Sequence, residues 1–209
     1  MKTEFILQAA QAVNNAILAN ESEIESLDRE IGDGDHYINM KRGCATVIAM
    51  HDELATLTPD AALQKIGMKL LSTIGGASGP LIASFFMAMA KTVKEQGAGS
   101  LPQIAAAFAA GVEAIKLRGK ADVGEKTMLD VLIPVARTFQ KLAGENTDRI
   151  ALFDAVKREA EQGMLSTRDL IATKGRAAFL GERAIGHIDA GAKSSQVMIT
   201  AVCDLALKS

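Results

Sequence analysis

Apolar side chains recur along this chain with the spacing of helix faces. Near the start, Ile6, Ala9, Ala10, Val13 and Ile17 follow i, i+3, i+4, i+7 and i+11, one stripe of an amphipathic helix. Met198, Ala201, Val202 and Leu205 repeat the pattern near the other end. Start and stop signals divide the stretch between them. Thr58-Pro59 reads as an N-cap followed by proline at the first helical position, where a missing N–H is harmless. Ser100-Leu101-Pro102-Gln103 has the form of a capping box, and Gly97 and Gly144 suit helix stops. The pattern predicts helices over roughly 4–20, 36–56, 60–74, 80–96, 101–118, 126–143, 149–172 and 193–208, with no convincing strand. Gly163 falls inside the seventh, where glycine weakens a helix. The fold class expected is all-α: an eight-helix antiparallel up-and-down barrel or bundle. It forms one domain over 1–209, because no linker, composition shift or repeat divides the chain.

Composition narrows the function classes. Alanine occupies 35 of 209 positions, which lets helices form readily and approach closely. Seven Phe, one Tyr and no Trp argue against an aromatic platform for nucleic acid. A net charge of −2 supplies no electrostatic footprint for a phosphate backbone or an anionic membrane, so neither is expected as a partner. No apolar run reaches the roughly 18 residues needed to span a bilayer; Ile82 to Ala90 is broken by Ser84 and followed by Lys91. Met1-Lys2-Thr3-Glu4 does not lead an uninterrupted apolar stretch. Cys44 and Cys203 lack any metal or redox spacing and read as reduced, buried thiols, so a cytoplasmic location is expected.

The connections carry more information than the helices. Those around 56–60, 97–100 and 144–148 are short and bland. Those at 28–35, 75–80, 119–126 and 174–192 are glycine-rich and polar. The two kinds alternate, and in an up-and-down bundle alternate connections lie at the same end. Four unusual loops are therefore expected to converge there.

The first loop places Asp28, Asp33 and Asp35 around Gly32 and Gly34, beside His36. Carboxylates at that density repel unless a cation holds them, and hard oxygen ligands suit Mg²⁺ or Ca²⁺ rather than zinc. Alternatively each aspartate is a cap or a solvated turn, Asp35 capping the helix that follows. His36 reads equally as a packing residue or a ligand contact. In the second loop, Gly75 and Gly76 before a helix start can form an anion-binding nest with the Ser78 hydroxyl, or simply a tight turn. It is not a Walker A loop, since the Gly-Lys-Ser/Thr ending is missing. The third is a solvated turn, or a place where Gly119 admits a flat ligand and Met128 packs on it. The fourth exceeds the roughly 12–15 residues usual for a structureless connection, and Phe179, Leu180 and Ile185 argue against disorder. Its Arg176 and Arg183 meet phosphate or pair with acids such as Glu182.

Taken together, Leu-Asp-Arg-Glu-Ile-Gly-Asp-Gly-Asp-His, Gly-Gly-Ala-Ser-Gly-Pro, Gly-Glu-Lys-Thr-Met-Leu-Asp and Lys-Gly-Arg-Ala with Leu-Gly-Glu-Arg and Gly-His-x-Asp resemble the nucleotide-binding L subunits of bacterial dihydroxyacetone kinases. The similarity covers essentially the whole chain. It implies an eight-helix barrel holding ADP or ATP tightly at one end, with two Mg²⁺ bridging the phosphates to Asp28, Asp33 and Asp35. Nucleotide contacts carried over by the resemblance are His36, Tyr37, Ile38, Asn39, Ala77, Ser78, Gly119, Met128, Arg176, Asp189, Ala190 and Gly191.

The chain length matches the branch linked to the phosphoenolpyruvate-dependent phosphotransferase system. There bound ADP is rephosphorylated in place by a phosphohistidine-carrying M-type donor subunit. A K-type subunit holds the ketose, and the general base is expected on that partner. A homodimer stays open. Tyr37 stands where glycine is common in the family, and Ala190 where proline is common. Three alternatives remain: a kinase for another small ketose, a nucleotide-binding regulatory homologue, and a fatty-acid kinase domain, whose version reads Asp-Gly-Asp-Thr-Gly.

Overall fold

A computed structural model of the chain describes residues 1–76 and 78–208, and the periodic segments become ten α-helices and two 3-10 segments with no strand among those residues. The helices are α1 (Thr3–Ala19), α2 (Glu21–Ile31), α3 (His36–Ala49), α4 (His51–Ala55), α5 (Pro59–Thr73), α6 (Ser78–Gln96), α7 (Leu101–Gly119), α8 (Leu129–Gly144), α9 (Arg149–Ser166) and α10 (Ala190–Lys208). The 3-10 segments are Thr167–Asp169 and Ala177–Ala184. Several ends are set by the residues read from sequence. Ser100 and Gln103 form a reciprocal capping box at the start of α7. Gly97 ends α6 in the left-handed region at φ +78°.

The eight longest helices pack in a closed cycle. α1 lies on α3 and α3 on α5; each helix from α5 to α10 packs on the next; α10 returns to α1. α2 sits beside α3 and α10, and α4 beside α1, α3 and α5. Leu54, Ile66, Leu70 and Val93 fill one part of the interior, and Val131, Leu152, Val156 and Cys203 another. Phe86, Phe85, Phe108, Phe139 and Phe153 run in sequence from α6 to α9, with neighbouring ring centroids 5.4, 5.6, 6.4 and 6.3 Å apart.

Close seams explain two glycines within helices. A Cβ at Gly111 would fall 2.5 Å from the Phe85 ring, and one at Gly163 would fall 2.3 Å from the carbonyl oxygen of Asp130. That carbonyl is available because Pro134, four residues on in α8, has no N–H to donate to it. The glycine that weakened the sequence pattern of α9 is what lets it pass over α8.

The all-α class holds, and among the described residues two shorter helices, α2 and α4, join the eight expected. α2 was not predicted: its Glu-rich run offers few apolar positions, yet Ile24 packs with Tyr37 and Val197, and Ile31 with Ala172 and Ala184. Asp28 consequently sits in the last turn of a helix rather than in a loop. The segment expected over 36–56 breaks at Met50 into α3 and α4. That expected over 126–143 begins only at Leu129, because Lys126 takes a positive φ of 60°. That expected over 149–172 stops at Ser166. Among the described residues no helix is long and apolar enough to cross a membrane. Cys44 and Cys203 are free, and burial pushes their thiols up to about 11 and about 12, so both stay protonated at neutral pH.

Candidate functional site

The four glycine-rich connections border one cleft of about 820 Å³, within the range of ligand pockets. The first contributes Asp28, Asp33, Asp35, His36 and Asn39; the second, Gly75, Gly76 and Ser78. Gly119, Thr127 and Met128 come from the third, and Arg176, Phe179, Asp189, Ala190 and Gly191 from the fourth. Between them lies an apolar wall of Leu81, Ile115 and Leu129.

At one side three carboxylates converge. Oxygens of Asp28, Asp33 and Asp35 lie within 4.8 Å of one another. Asp28 is buried, while Asp33 and Asp35 face solvent. The chain reaches this arrangement by folding back tightly after α2. The Gly32 N–H donates to the Asp28 carbonyl at 2.7 Å, and a Cβ at Gly32 would lie 1.9 Å from Asp28 Oδ1, so only glycine fits. The His36 N–H then donates to Asp28 Oδ2 at 3.0 Å. Asp35 occupies the N-cap position of α3, but its side chain makes no capping hydrogen bond. Arg176 Nε donates to Asp33 Oδ2 at 2.8 Å, so this arginine pairs with the acidic cluster rather than with Glu182. One guanidinium against three carboxylates leaves room for further positive charge.

His36 links this cluster to the start of α10. Its Nε2 lies 2.9 Å from Ser194 Oγ, and the Ser194 hydroxyl donates to the Gly191 carbonyl at 3.1 Å. The single hydroxyl hydrogen is thereby used, so His36 Nε2 is the donor of the pair. Burial lowers the His36 pKa in spite of Asp28, Asp35 and Asp33 nearby, which keeps the ring neutral at pH 7. Asp189, across the cleft, has its carboxyl pushed up to about 6, chiefly by burial. Its Oδ2 accepts from the Ala192 N–H at 2.8 Å, capping α10.

Not every expected residue reaches the cleft. Tyr37 points instead into the packing of Ile17, Ile24, Met40 and Val197, with its hydroxyl buried and unpartnered. Ile38 faces solvent at 51% exposure, on the other side of α3 from His36 and Asn39. A helix alternates its faces, so four consecutive residues cannot all present side chains to one cleft. Ala77 lies outside the described residues.

Other polar residues support the site from outside the expected set. Asp130 is 1% exposed and accepts from the Gly124 and Thr127 N–H groups, shaping the third loop from beneath. Its Thr-x-x-Asp spacing from Thr127 was a legible capping signal. Ser194, Thr167 and Lys126 are buried polar residues with no local signature, because their partners are distant in sequence.

Chemically, the cleft combines three hard oxygen ligands, a glycine turn at a helix start and an apolar wall. That set suits a divalent cation, an anion and a flat group held side by side.

Comparison with known proteins agrees with this chemistry. The DAK2 domain model matches residues 30–204. The ADP-binding subunit DhaL of PEP-dependent dihydroxyacetone kinase 2 from Listeria innocua is 39% identical over 206 residues, covering 98% of this chain and 95% of that one. The ADP-binding subunit DhaL of the PEP-dependent dihydroxyacetone kinase of Escherichia coli is 40% identical over 184 residues, 88% of each chain. These relatives are subunits of phosphotransferases by name. The solved dihydroxyacetone kinase of C. freundii in its native form superposes with a TM-score of 0.72 at 25% identity, over 96% of this chain and 34% of that one. Its complex with AMP-PNP and Mg²⁺ gives 0.73 at 25% identity. The chain therefore spans about a third of that solved kinase. With its DAK2 match running over residues 30–204 and DhaL subunits aligning along most of its length, the chain belongs to the DAK2-domain family of dihydroxyacetone kinase subunits.

Proposed function

We propose that this chain is the ADP/ATP-binding subunit of a phosphoenolpyruvate-dependent dihydroxyacetone kinase, a single cytoplasmic domain over residues 1–209. The observation that carries the reading is the cleft itself: three clustered carboxylates facing a glycine turn at the start of α6. The donor set fits Mg²⁺, since all three ligands are hard oxygens and one arginine offsets them only in part. Asp28, Asp33 and Asp35 would hold two such ions. When bound, Mg²⁺ supplies neutralisation of phosphate charge.

The chain's own residues bind and orient. Backbone N–H groups around Gly75 and Gly76, with the Ser78 hydroxyl, meet phosphate oxygens at the positive end of α6. Met128 and Leu81 flank the base. His36, Asn39, Gly119, Arg176 and the stretch Asp189, Ala190 and Gly191 complete the contacts. The neutral His36 keeps its Nε2 on Ser194 and offers only Nδ1 to a ligand. Phosphoryl transfer needs positioning and charge stabilisation rather than a covalent group from this chain. An M-type phosphohistidine subunit would rephosphorylate tightly held ADP, and a K-type subunit would hold the ketose and its base. Which ketose reacts is then decided on the partner.

Asp33→Asn tests the metal assignment. Wild-type protein should carry ADP through gel filtration with Mg²⁺ present, and the variant should lose it with helicity unchanged. Full ADP retention by the variant would refute the assignment. Incubation with phosphoenolpyruvate and the general phosphotransferase proteins should convert bound ADP to ATP only when the donor subunit is added. Free exchange with bulk ATP would count against the branch proposed.

A further inference from the structure

Lys126 is absent from the cleft lining, yet the protein encloses it almost completely, at 1% exposure. Its Nζ donates to the backbone carbonyls of Thr167 and His187, and the Arg168 carbonyl lies at 3.5 Å. With α9 ending at Ser166 and α10 beginning at Ala190, the fourth loop runs over 167–189 in the structure, and these carbonyls sit near its two ends. One ammonium on the third loop thus holds both feet of the fourth. The backbone at Lys126 takes φ +60°, a conformation that residues with a Cβ seldom adopt. Such local strain persists only where the surroundings over-determine it.

Its neighbour Glu125 grips the same loop from the other side. The Glu125 carbonyl accepts from the Thr173 N–H, its carboxylate accepts from the Thr173 hydroxyl at 2.7 Å, and Lys174 Nζ lies at 3.5 Å. Enclosing an ammonium is expensive, and an apolar side chain would fill the same space without that cost. What an apolar side chain cannot do is join carbonyls that lie about twenty residues apart in the chain.

We propose that Lys126 is a positioning residue that pins both ends of the fourth loop across the cleft and thereby sets how long a bound nucleotide stays. The inference rests on the reading of the cleft as a nucleotide site. The pinned segment carries Arg176, Phe179 and Asp189, all lining the cleft, so their placement depends on where its two ends are held. The loop forms one border of the cleft, and a border held at both ends moves aside only by breaking hydrogen bonds to a charged donor.

The test uses the full chain, Mg²⁺ and a fluorescent ADP analogue chased with excess ADP, together with amide hydrogen exchange on the nucleotide-free protein. Lys126→Met keeps the stem length and removes the donors. It should speed dissociation at least about tenfold, since hydrogen bonds from charged donors are worth more than a decade each. Amide exchange should rise over 167–189 while α5, α6 and α7 keep their protection. Burial lowers the Lys126 pKa below the usual lysine range, with Asp130 from α8, Asp169 after α9 and Asp189 before α10 facing the ammonium. Wild-type dissociation should therefore accelerate at alkaline pH as a donor hydrogen is lost, and Lys126→Arg, which stays charged, should lack that rise.

Wild-type dissociation and loop protection in Lys126→Met would overturn the proposal. So would exchange that rises throughout the barrel, which marks a merely stabilising residue. Should Lys126→Met fail to fold, an alkaline rise in Lys126→Arg equal to wild type overturns it alone. If wild-type protein binds no nucleotide, the site reading fails, while exchange in the nucleotide-free variants still decides whether the loop is pinned.

Discussion

Replacing Asp189 with asparagine removes a charge from the wall of the cleft while keeping an oxygen that can accept from the Ala192 N–H. Burial raises the carboxyl from an ordinary 3.8 to about 6, against the opposing pull of the Ala192 N–H and Lys126. That gap corresponds to about 3 kcal/mol, and partial exposure of the residue trims it to about 2 kcal/mol. The sign follows from proton binding. Near pH 3.5 the group is largely protonated folded and unfolded alike, so charge makes little difference to stability. As pH rises toward 6 the unfolded chain ionises first and the folded state is progressively disfavoured; above about 6 the penalty is complete.

Asp189→Asn should therefore match wild type near pH 3.5 and exceed it by about 2 kcal/mol at pH 7. Urea unfolding from pH 3.5 to 7, without metal or nucleotide, measures the difference and cancels the titration of other carboxylates. ADP retention should fall in the same variant, because stability gained at a binding wall is paid in function. A stability difference that stays constant with pH would refute the reasoning, as would a wild type more stable than the variant at pH 7.

Two further substitutions test the scaffold. Gly163→Ala gains about 1 kcal/mol of helix propensity, but its Cβ would land 2.3 Å from a backbone oxygen that cannot rotate away. Overpacking of this kind costs about 1–3 kcal/mol, so a net loss is expected in urea unfolding. Ser100→Ala removes the side chain that accepts from the Gln103 N–H and should cost about 1 kcal/mol by the same assay.

What was legible in the sequence divides along the range of the interaction. The capping box at Ser100, the proline at the start of α5 and the stop at Gly97 are local, and local rules predicted them. The acidic cluster was legible too, because its residues lie within eight positions and glycines mark the fold-back. α2 was missed because its burial depends on partners from α3, α10 and the fourth loop, which no periodicity within Glu21–Ile31 discloses. Tyr37 was placed by family resemblance, but a single helix cannot turn His36, Tyr37 and Ile38 toward one cleft. Lys126 read as an ordinary charge in a polar loop. Its role is decided by carbonyls 41 and 61 residues away, and a carbonyl has no side-chain identity for a sequence to reveal.

The closed cycle of helices also governs the order in which the molecule can be completed. α1 must wait for α10, the described helix farthest from it along the chain, before both of its flanks are covered. The cleft spans the same interval, from Asp28 to Gly191. During synthesis, neither the barrel nor the binding site can close until α10 has emerged from the ribosome. Nascent chains that have not yet reached α10 leave the α10-facing flank of α1 uncovered, so that flank is where chaperone cover is needed.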